Sequence, residues 1–486
     1  MVTRLDVVVV GSGPNGLVAA ITLARAGLDV LVLEEQPVAG GGARTLDLGL
    51  AGGLLHDVCS AVHPMAWASP VLAPILARRG VELVVPQVAY AHPLPGGRAG
   101  LAWHDLDRTV AGLGADGDAW RELVGPLAAD VQRLVELTLG DHRHVPRDVL
   151  GPGLPTAARL AARIVQQGTP LWRRPLRGDV ARALLTGAAA HSMTRLPSLV
   201  GAGTGVLLAA LAHAGLGWPV PRGGSAAVSD ALLAELADLG GRVVTGRPVR
   251  VPGDLPPAHV TVFDTAPGTV AQVAGDRLAP RARRALTRRR PGPGVAKVDL
   301  VLSGPIPWTV PEVGLASTVH LGGTRAQVVR AEAQITAGRH AHRPFTLVSD
   351  PAALDAARAR GGLRPVWSYA HVPTGSRADL TATVLAHLEQ YAPGVRDLVV
   401  DARCTPASRR HLVDANQVGG DITGGSTSLL RMLVGPVPGW DPYRVGPDVW
   451  LCSASAPPGP GVHGMSGAHA ARSVLGALAE RGKAGR

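Results

Sequence analysis

Cysteine and aromatic residues are scarce in this chain. Of its 486 residues three are Cys, and Trp, Tyr and Phe number 9, 4 and 2. Cys59, Cys404 and Cys452 stand far apart, which excludes a disulfide framework and a Cys-based zinc pattern. Single, scattered cysteines fit a reducing, cytoplasmic setting. So few rings argue against a stacking platform for single strands, and no nucleic-acid partner is expected. Lysine is nearly absent: Lys297 and Lys483 leave 46 of the 48 cationic residues as Arg. The net charge of +11 is therefore an arginine charge, spread along the surface. Its one dense cluster is Arg281, Arg283, Arg284, Arg288, Arg289 and Arg290. That cluster reads as a solvated helix face or a peripheral contact with an anionic membrane surface. Long apolar runs are missing too. The longest, Leu199 to Trp218, contains five glycines and His213 and reads as a buried helix and loop. The first apolar run, after Met1-Val2-Thr3-Arg4, is too short for a signal peptide.

What is abundant is glycine (62) and proline (41), about a fifth of the chain together, without a collagen-like period. With 46% hydrophobic residues the chain has core enough for two or three domains. The glycines concentrate where a ligand is expected. Leu5 to Val10 reads as a central parallel strand and ends in Gly11-Ser12-Gly13-Pro14-Asn15-Gly16. A helix with Leu17, Ala20, Ile21 and Ala24 on one face follows, Gly27 stops it, and a second strand runs from Asp29 to Glu34. This is a complete dinucleotide-binding βαβ unit. Gly11 allows the turn, Gly13 lets the backbone approach a pyrophosphate, and Gly16 brings the helix close to the strand. Glu34, with Glu35 beside it, stands where a carboxylate accepts hydrogen bonds from ribose hydroxyls. A second glycine loop, Gly40-Gly41-Gly42-Ala43-Arg44-Thr45, follows. It suits a longer dinucleotide, with Arg44 offsetting phosphate charge. The expected cofactor is FAD.

These segments resemble the N-terminus of amine-oxidase-type flavoproteins, and most of all the phytoene desaturase and carotenoid isomerase-like branch. Three later segments carry the same resemblance. Trp218-Pro-Val-Pro-Arg222-Gly223-Gly224 precedes a helix for which Ser225 is the expected N-cap, and a strand at Arg242 to Thr245 follows. Asp264-Thr265-Ala266-Pro267 follows an apolar strand. Pro458-Gly459-Pro460-Gly461-Val462-His463-Gly464-Met465 opens a C-terminal helix. The resemblance implies that Arg222, Gly223, Val249 (near the adenine) and Gly461 to Met465 meet the flavin nucleotide. The chain departs from the branch at Ser453-Ala454-Ser455-Ala456, where carotene desaturases carry a Gly-rich Thr motif. The fold class implied is α/β: a Rossmann-like FAD-binding domain (1–75, 220–294 and 421–486) with a discontinuous α+β substrate domain (76–219 and 295–420). The first part of the substrate domain reads as helical, the second as strand-rich.

Flavin chemistry asks for few acid–base groups, so no catalytic residue is assigned. Substrate contacts are expected at His63, at His463 inside the C-terminal loop, and at Trp367 and Tyr369. These last two share one strand face with His371. The spacing of His56, Asp57, Cys59 and His63 is not that of a metal site, and no metal is expected. Cys452 reads as a buried strand residue. The function expected is transfer of a hydride from a small, largely apolar substrate, of isoprenoid or polyene type, to the flavin. The alternatives are a redox-neutral flavin isomerase, a flavin-bound interaction protein without turnover, and an amine oxidase. The oligomeric state is left open.

Overall fold

The computed structural model describes residues 4–141, 143, 151–425, 434–437 and 439–484. The run of valines dictates the first layer. Val7, Val8 and Val9 have no solvent exposure on either face, so Leu5–Val10 sits mid-sheet. It pairs in parallel with Val30–Leu33 on one side and Ala258–Phe263 on the other. Arg242–Val244 and Val449–Leu451 extend the sheet at its two edges, also in parallel. Every turn at one end of this sheet therefore leads from a strand towards the same rim, where α/β proteins bind ligands.

Pro14–Arg25 leaves the first strand with Pro at its first position and ends before Gly27, whose φ is +84°. The C-terminal helix, Met465–Ala484, packs against it. The contact is close: a Cβ on Gly467 would lie 2.0 Å from the Asn15 carbonyl oxygen.

The second layer is a seven-stranded sheet. Its order is Val399–Thr405, Gly294–Leu302, Arg364–Val372, Thr346–Ser349, Ala316–Leu321, Val88–Leu94 and Arg98–Trp103. All neighbours are antiparallel except Ala316–Leu321 against Val88–Leu94. The helices Gly117–Ala129, Val131–Leu139, Leu154–Gly168, Asp179–Ala190 and Leu199–Ala212 form a bundle around Leu134, Leu160, Leu184 and Leu208. Leu199–Ala212 is the glycine-broken apolar run, buried as a helix of 14 residues. Among the described residues no helix is long and apolar enough to cross a membrane.

Two readings need correction. The helical reading of residues 76 to about 215 missed the hairpin Val88–Leu94/Arg98–Trp103. Ala89, Ala91 and Pro93 dilute its strand pattern. The signal was in the turn, where Gly96 and Gly97 both take positive φ. Ser225 does not cap its helix, Ala226–Asp238: its side chain accepts nothing from the first turn. Asp57 accepts from the Ser225 amide at 2.9 Å and Thr45 from the Ala226 amide at 3.0 Å instead. The arginine cluster lies on and just after the helix Pro280–Thr287, with Ala282 and Leu286 buried and Arg281, Arg283, Arg284, Arg288 and Arg290 exposed.

Gly467→Ala should strain the junction of the first and last helices. Overpacking of this kind costs about 1–3 kcal/mol. Thermal unfolding should show a Tm several degrees lower. Gly476→Ala, on the same helix with open space at its Cα, should not lower it.

Candidate functional site

The site forms where the first parallel strand turns into its helix. Gly11 takes φ +97°, and a Cβ on Gly16 would lie 2.3 Å from the Gly11 carbonyl oxygen. Against this turn stands Asp264, at the end of the neighbouring strand. Its carboxylate accepts from the Gly16 amide at 2.9 Å. A Cβ on Gly13 would lie 2.6 Å from its Oδ2. The second glycine loop lies on the first: a Cβ on Gly41 would come within 2.8 Å of the Gly13 Cα. Asn416 braces the far side, donating to the Asp264 carbonyl at 3.0 Å and accepting from the Ala266 amide at 2.8 Å.

These loops wall one side of a cavity of about 540 Å³. Gly13, Pro14, Asn15, Gly41, Gly42 and Ala43 line it, together with Asp264, Asn416 and the C-terminal loop at Pro458, Pro460, Gly461 and Val462. The opposite walls are apolar and come from the other part of the molecule. They include Leu160, Ile164, Leu199, Leu207 and Leu208 of the helices, Trp218, and Leu347, Trp367 and Tyr369 of the seven-stranded sheet. Trp367 meets Tyr369 edge to face, with ring centroids 5.0 Å apart.

Two groups in the cradle are incompletely matched by their surroundings. The Asn15 side-chain oxygen is buried without a hydrogen bond. Arg44 is 3% exposed. Its guanidinium donates to the carbonyls of Gly41 (2.6 Å) and Val413 (2.5 Å), and no carboxylate of the described residues pairs with it. Buried guanidinium groups normally find an anion. Glu34 lies just outside the cavity. Its carboxylate accepts from the Ser12 amide at 3.0 Å, from the Ser12 hydroxyl, and from the Gln36 amide at 2.8 Å.

His63 lines the cavity with a tautomer its neighbours determine. The single proton of the Ser225 hydroxyl goes to the Ser60 carbonyl. His63 Nε2, 2.8 Å from that hydroxyl, must then be the donor, and Nδ1 is left as a buried lone pair. Burial lowers the imidazole to about 4, so it stays neutral.

Other expected residues are placed elsewhere. Glu35 turns outward and pairs with Arg250. Arg222 is half-exposed and held by Glu82 at 2.6 Å and Asp355 at 3.3 Å, and the Gly223 amide donates to Asp355 at 2.8 Å. Neither residue lines the cavity, because two acids already engage the segment. The Val249 side chain packs in the core of the parallel-sheet domain. His463 is fully buried but holds its own loop. Its Nδ1 accepts from the Met465 amide at 3.0 Å, so Nε2–H donates to the Gly459 carbonyl at 3.1 Å. Both nitrogens are spent inside the loop, and the ring is not part of the cavity lining. Gly464 and Met465 stand behind it, with Gly464 tight against Val18.

Sequence reasoning passed over the Asp264 carboxylate, Asn416 and the cavity-lining His191. It also passed over Lys297, which is buried and ion-paired with Asp299 on the same strand. Burial lowers the Lys297 ammonium. Lys297 could have been noticed as a lone cation in an apolar strand.

Residues 9–79 match the NAD(P)-binding Rossmann-like domain family. Over 98% of its length the chain is 27% identical to an uncharacterized protein of Mycobacterium tuberculosis, of which 98% is covered. Shorter matches include 60% identity over 42 residues with all-trans-retinol 13,14-reductase of Macaca fascicularis, 9% of this chain and 7% of that one. Another is 31% identity over 137 residues with digeranylgeranylglycerophospholipid reductase of Methanospirillum hungatei, 27% of this chain and 32% of that one. Among solved structures, cyclohexylamine oxidase from Brevibacterium oxydans superposes with a TM-score of 0.61 at 16% identity, covering 99% of this chain and 100% of that one. A putrescine oxidase gives 0.61 at 16%, covering 98% and 99%. The fold is therefore that of these two-domain oxidases: a Rossmann-like sheet with a second sheet domain.

Asp264 gives the site a pH signature. Burial raises its carboxyl to about 7, with Asp414 and Glu34 adding repulsion against the stabilising Gly16 and Gly13 amides. The folded state thus holds a proton that the unfolded chain gives up near pH 4. Stability should be full below about pH 4 and fall by a few kcal/mol as pH rises towards 7. Asp264→Asn should flatten this slope, measured as Tm against pH in the absence of ligand.

Proposed function

We propose that the chain is an FAD-dependent oxidoreductase acting on a small, largely apolar substrate of isoprenoid or polyene type. The observation that carries this reading is one cavity with two kinds of wall, glycine backbone on one side and aliphatic and aromatic side chains on the other. Backbone without side chains admits a flat, extended nucleotide, and the apolar walls exclude water from whatever lies beside it.

The residues present fit FAD. The Asn15 backbone N–H and the Gly13 and Gly41–Gly42 backbone would hold the pyrophosphate at the N-terminal end of the first helix, with the Arg44 guanidinium, bound to the Gly41 carbonyl, adding positive charge from behind that loop. Glu34 would take the ribose hydroxyls with the lone pairs that Ser12 and Gln36 leave. The Pro458 to Val462 loop would lie along the ring. When bound, FAD supplies a hydride acceptor at N5. The chain's own part is to orient the substrate, keep water out and take up the accompanying proton. His63 offers that proton an unpartnered Nδ1 lone pair, on a ring that burial makes a weak base.

The resemblance to the phytoene desaturase branch supports an isoprenoid substrate. So do the partial relatives named for retinol and for a digeranylgeranyl lipid. The Trp367–Tyr369 pair favours a second reading, amine oxidation, because ring faces attract a cationic substrate.

Anaerobic mixing of FAD-loaded protein with isoprenoid polyenes, and separately with primary amines, distinguishes the readings. Flavin bleaching by the polyenes is expected. Bleaching by amines alone transfers the assignment to the second reading. Polyene isomerisation that starts only after dithionite reduction makes the enzyme a redox-neutral isomerase. FAD retention should also depend on the turn: Gly16→Ala is expected to weaken FAD binding at least about tenfold, read by fluorescence titration.

A further inference from the structure

The apolar chamber contains a polar group that neither the flavin nor the proton-acceptor role uses. His191 ends the helix Asp179–Ala190, and its ring lines the cavity beside Trp218, 5.5 Å away and edge-on. Behind it stands His320, fully buried on the strand Ala316–Leu321, two residues from the cavity-lining Thr318. The two rings share one hydrogen bond, Nε2 to Nε2, at 2.8 Å. His320 reaches this position because residue 187 is glycine: a Cβ there would lie 2.5 Å from His320 Nδ1.

Hydrogen-bond accounting orients the pair. Burial, and the neighbouring His92 and His371, hold both rings neutral. Each ring therefore carries one N–H, and one of them lies between the two Nε2 atoms. His320 Nδ1 is buried without a partner. The nearby His92 Nδ1 does not bond it, and His92 spends its own N–H on the Gly323 carbonyl at 2.7 Å. A buried lone pair without a partner is tolerated better than a buried N–H without one. His320 therefore donates through Nε2, and His191, accepting there, carries its proton on Nδ1. Among the described residues nothing bonds that Nδ1–H, and no third metal-type ligand stands with the pair.

We propose that His191, oriented by His320, is the specificity residue of the chamber, donating its Nδ1–H to an oxygen atom of an otherwise apolar substrate. The ligand class is an alcohol or carbonyl compound with a long apolar body, not a plain hydrocarbon. His191 Nδ1 faces the cavity, so a ligand that fills the chamber without an acceptor strips this donor of water and leaves it unpaired, and the site rejects that analogue. The inference rests on the reading of this cavity as the substrate chamber of a flavin enzyme. Absence of bound FAD would overturn that reading separately.

The test uses FAD-loaded protein and three C15 probes of one skeleton: farnesol, farnesal and the corresponding hydrocarbon. Binding is followed by tryptophan fluorescence, since Trp218 and Trp367 line the chamber. Both oxygenated probes should bind at least about tenfold tighter than the hydrocarbon. In His191→Phe that preference should shrink to within about threefold while hydrocarbon affinity holds. Equal affinities in the wild type, or a preference that survives His191→Phe, would overturn the proposal. If that variant does not fold, ring-nitrogen NMR of wild-type histidines decides: His191 Nδ1 should shift with farnesal and not with the hydrocarbon, and no shift with farnesal overturns the proposal. Binding of none of the three contradicts the apolar-substrate reading beneath it.

Discussion

Everything in this molecule depends on how closely backbone approaches backbone at the start of the first helix. Gly16 lies against the Gly11 carbonyl and the Asp264 side chain, Gly41 against Gly13, and Gly467 against the Asn15 carbonyl. Four segments distant in sequence meet there with no room for a Cβ. The strand order follows from this junction, because Asp264 can reach the Gly16 amide only if Ala258–Phe263 lies next to Leu5–Val10. The cavity follows as well, since a surface made of glycine backbone is recessed relative to the side chains around it.

The second constraint is electrical. Burial in the cavity wall pushes three of its titratable groups towards their neutral forms. His63 and His191 are pushed down by desolvation, and Asp264 is pushed up. Arg44 is the cation among the described cradle residues that has no carboxylate beside it. Apolar walls on one side and a glycine cradle with Arg44 behind it on the other suit an anionic nucleotide next to an apolar substrate. Neither an apolar ligand alone nor a highly charged one satisfies both halves.

Much of the parallel sheet and its glycine loops was legible in the chain, because local rules govern them. Valine runs bury on both faces, glycines mark positive φ, and a terminal acid ends the second strand. The side chains around the cavity were less legible, because their roles depend on distant partners. Arg222 looked like an anion ligand until Glu82 and Asp355 were seen to hold it. His463 looked like a ring contact until its two nitrogens were found closing their own loop. The pairing of His191 with His320 spans 129 positions in sequence, and no local pattern announces it. Trp367 and Tyr369 were legible because strand alternation is itself a local rule.

The central claim is that the two glycine loops and the C-terminal loop form one cradle for one FAD. The most direct measurement is the cofactor content of the chain purified from a riboflavin-replete host, by absorbance and by chromatography of the released nucleotide. The account predicts one FAD per chain. A colourless protein that takes up no added FAD, or one that retains a nicotinamide dinucleotide in its place, would contradict it.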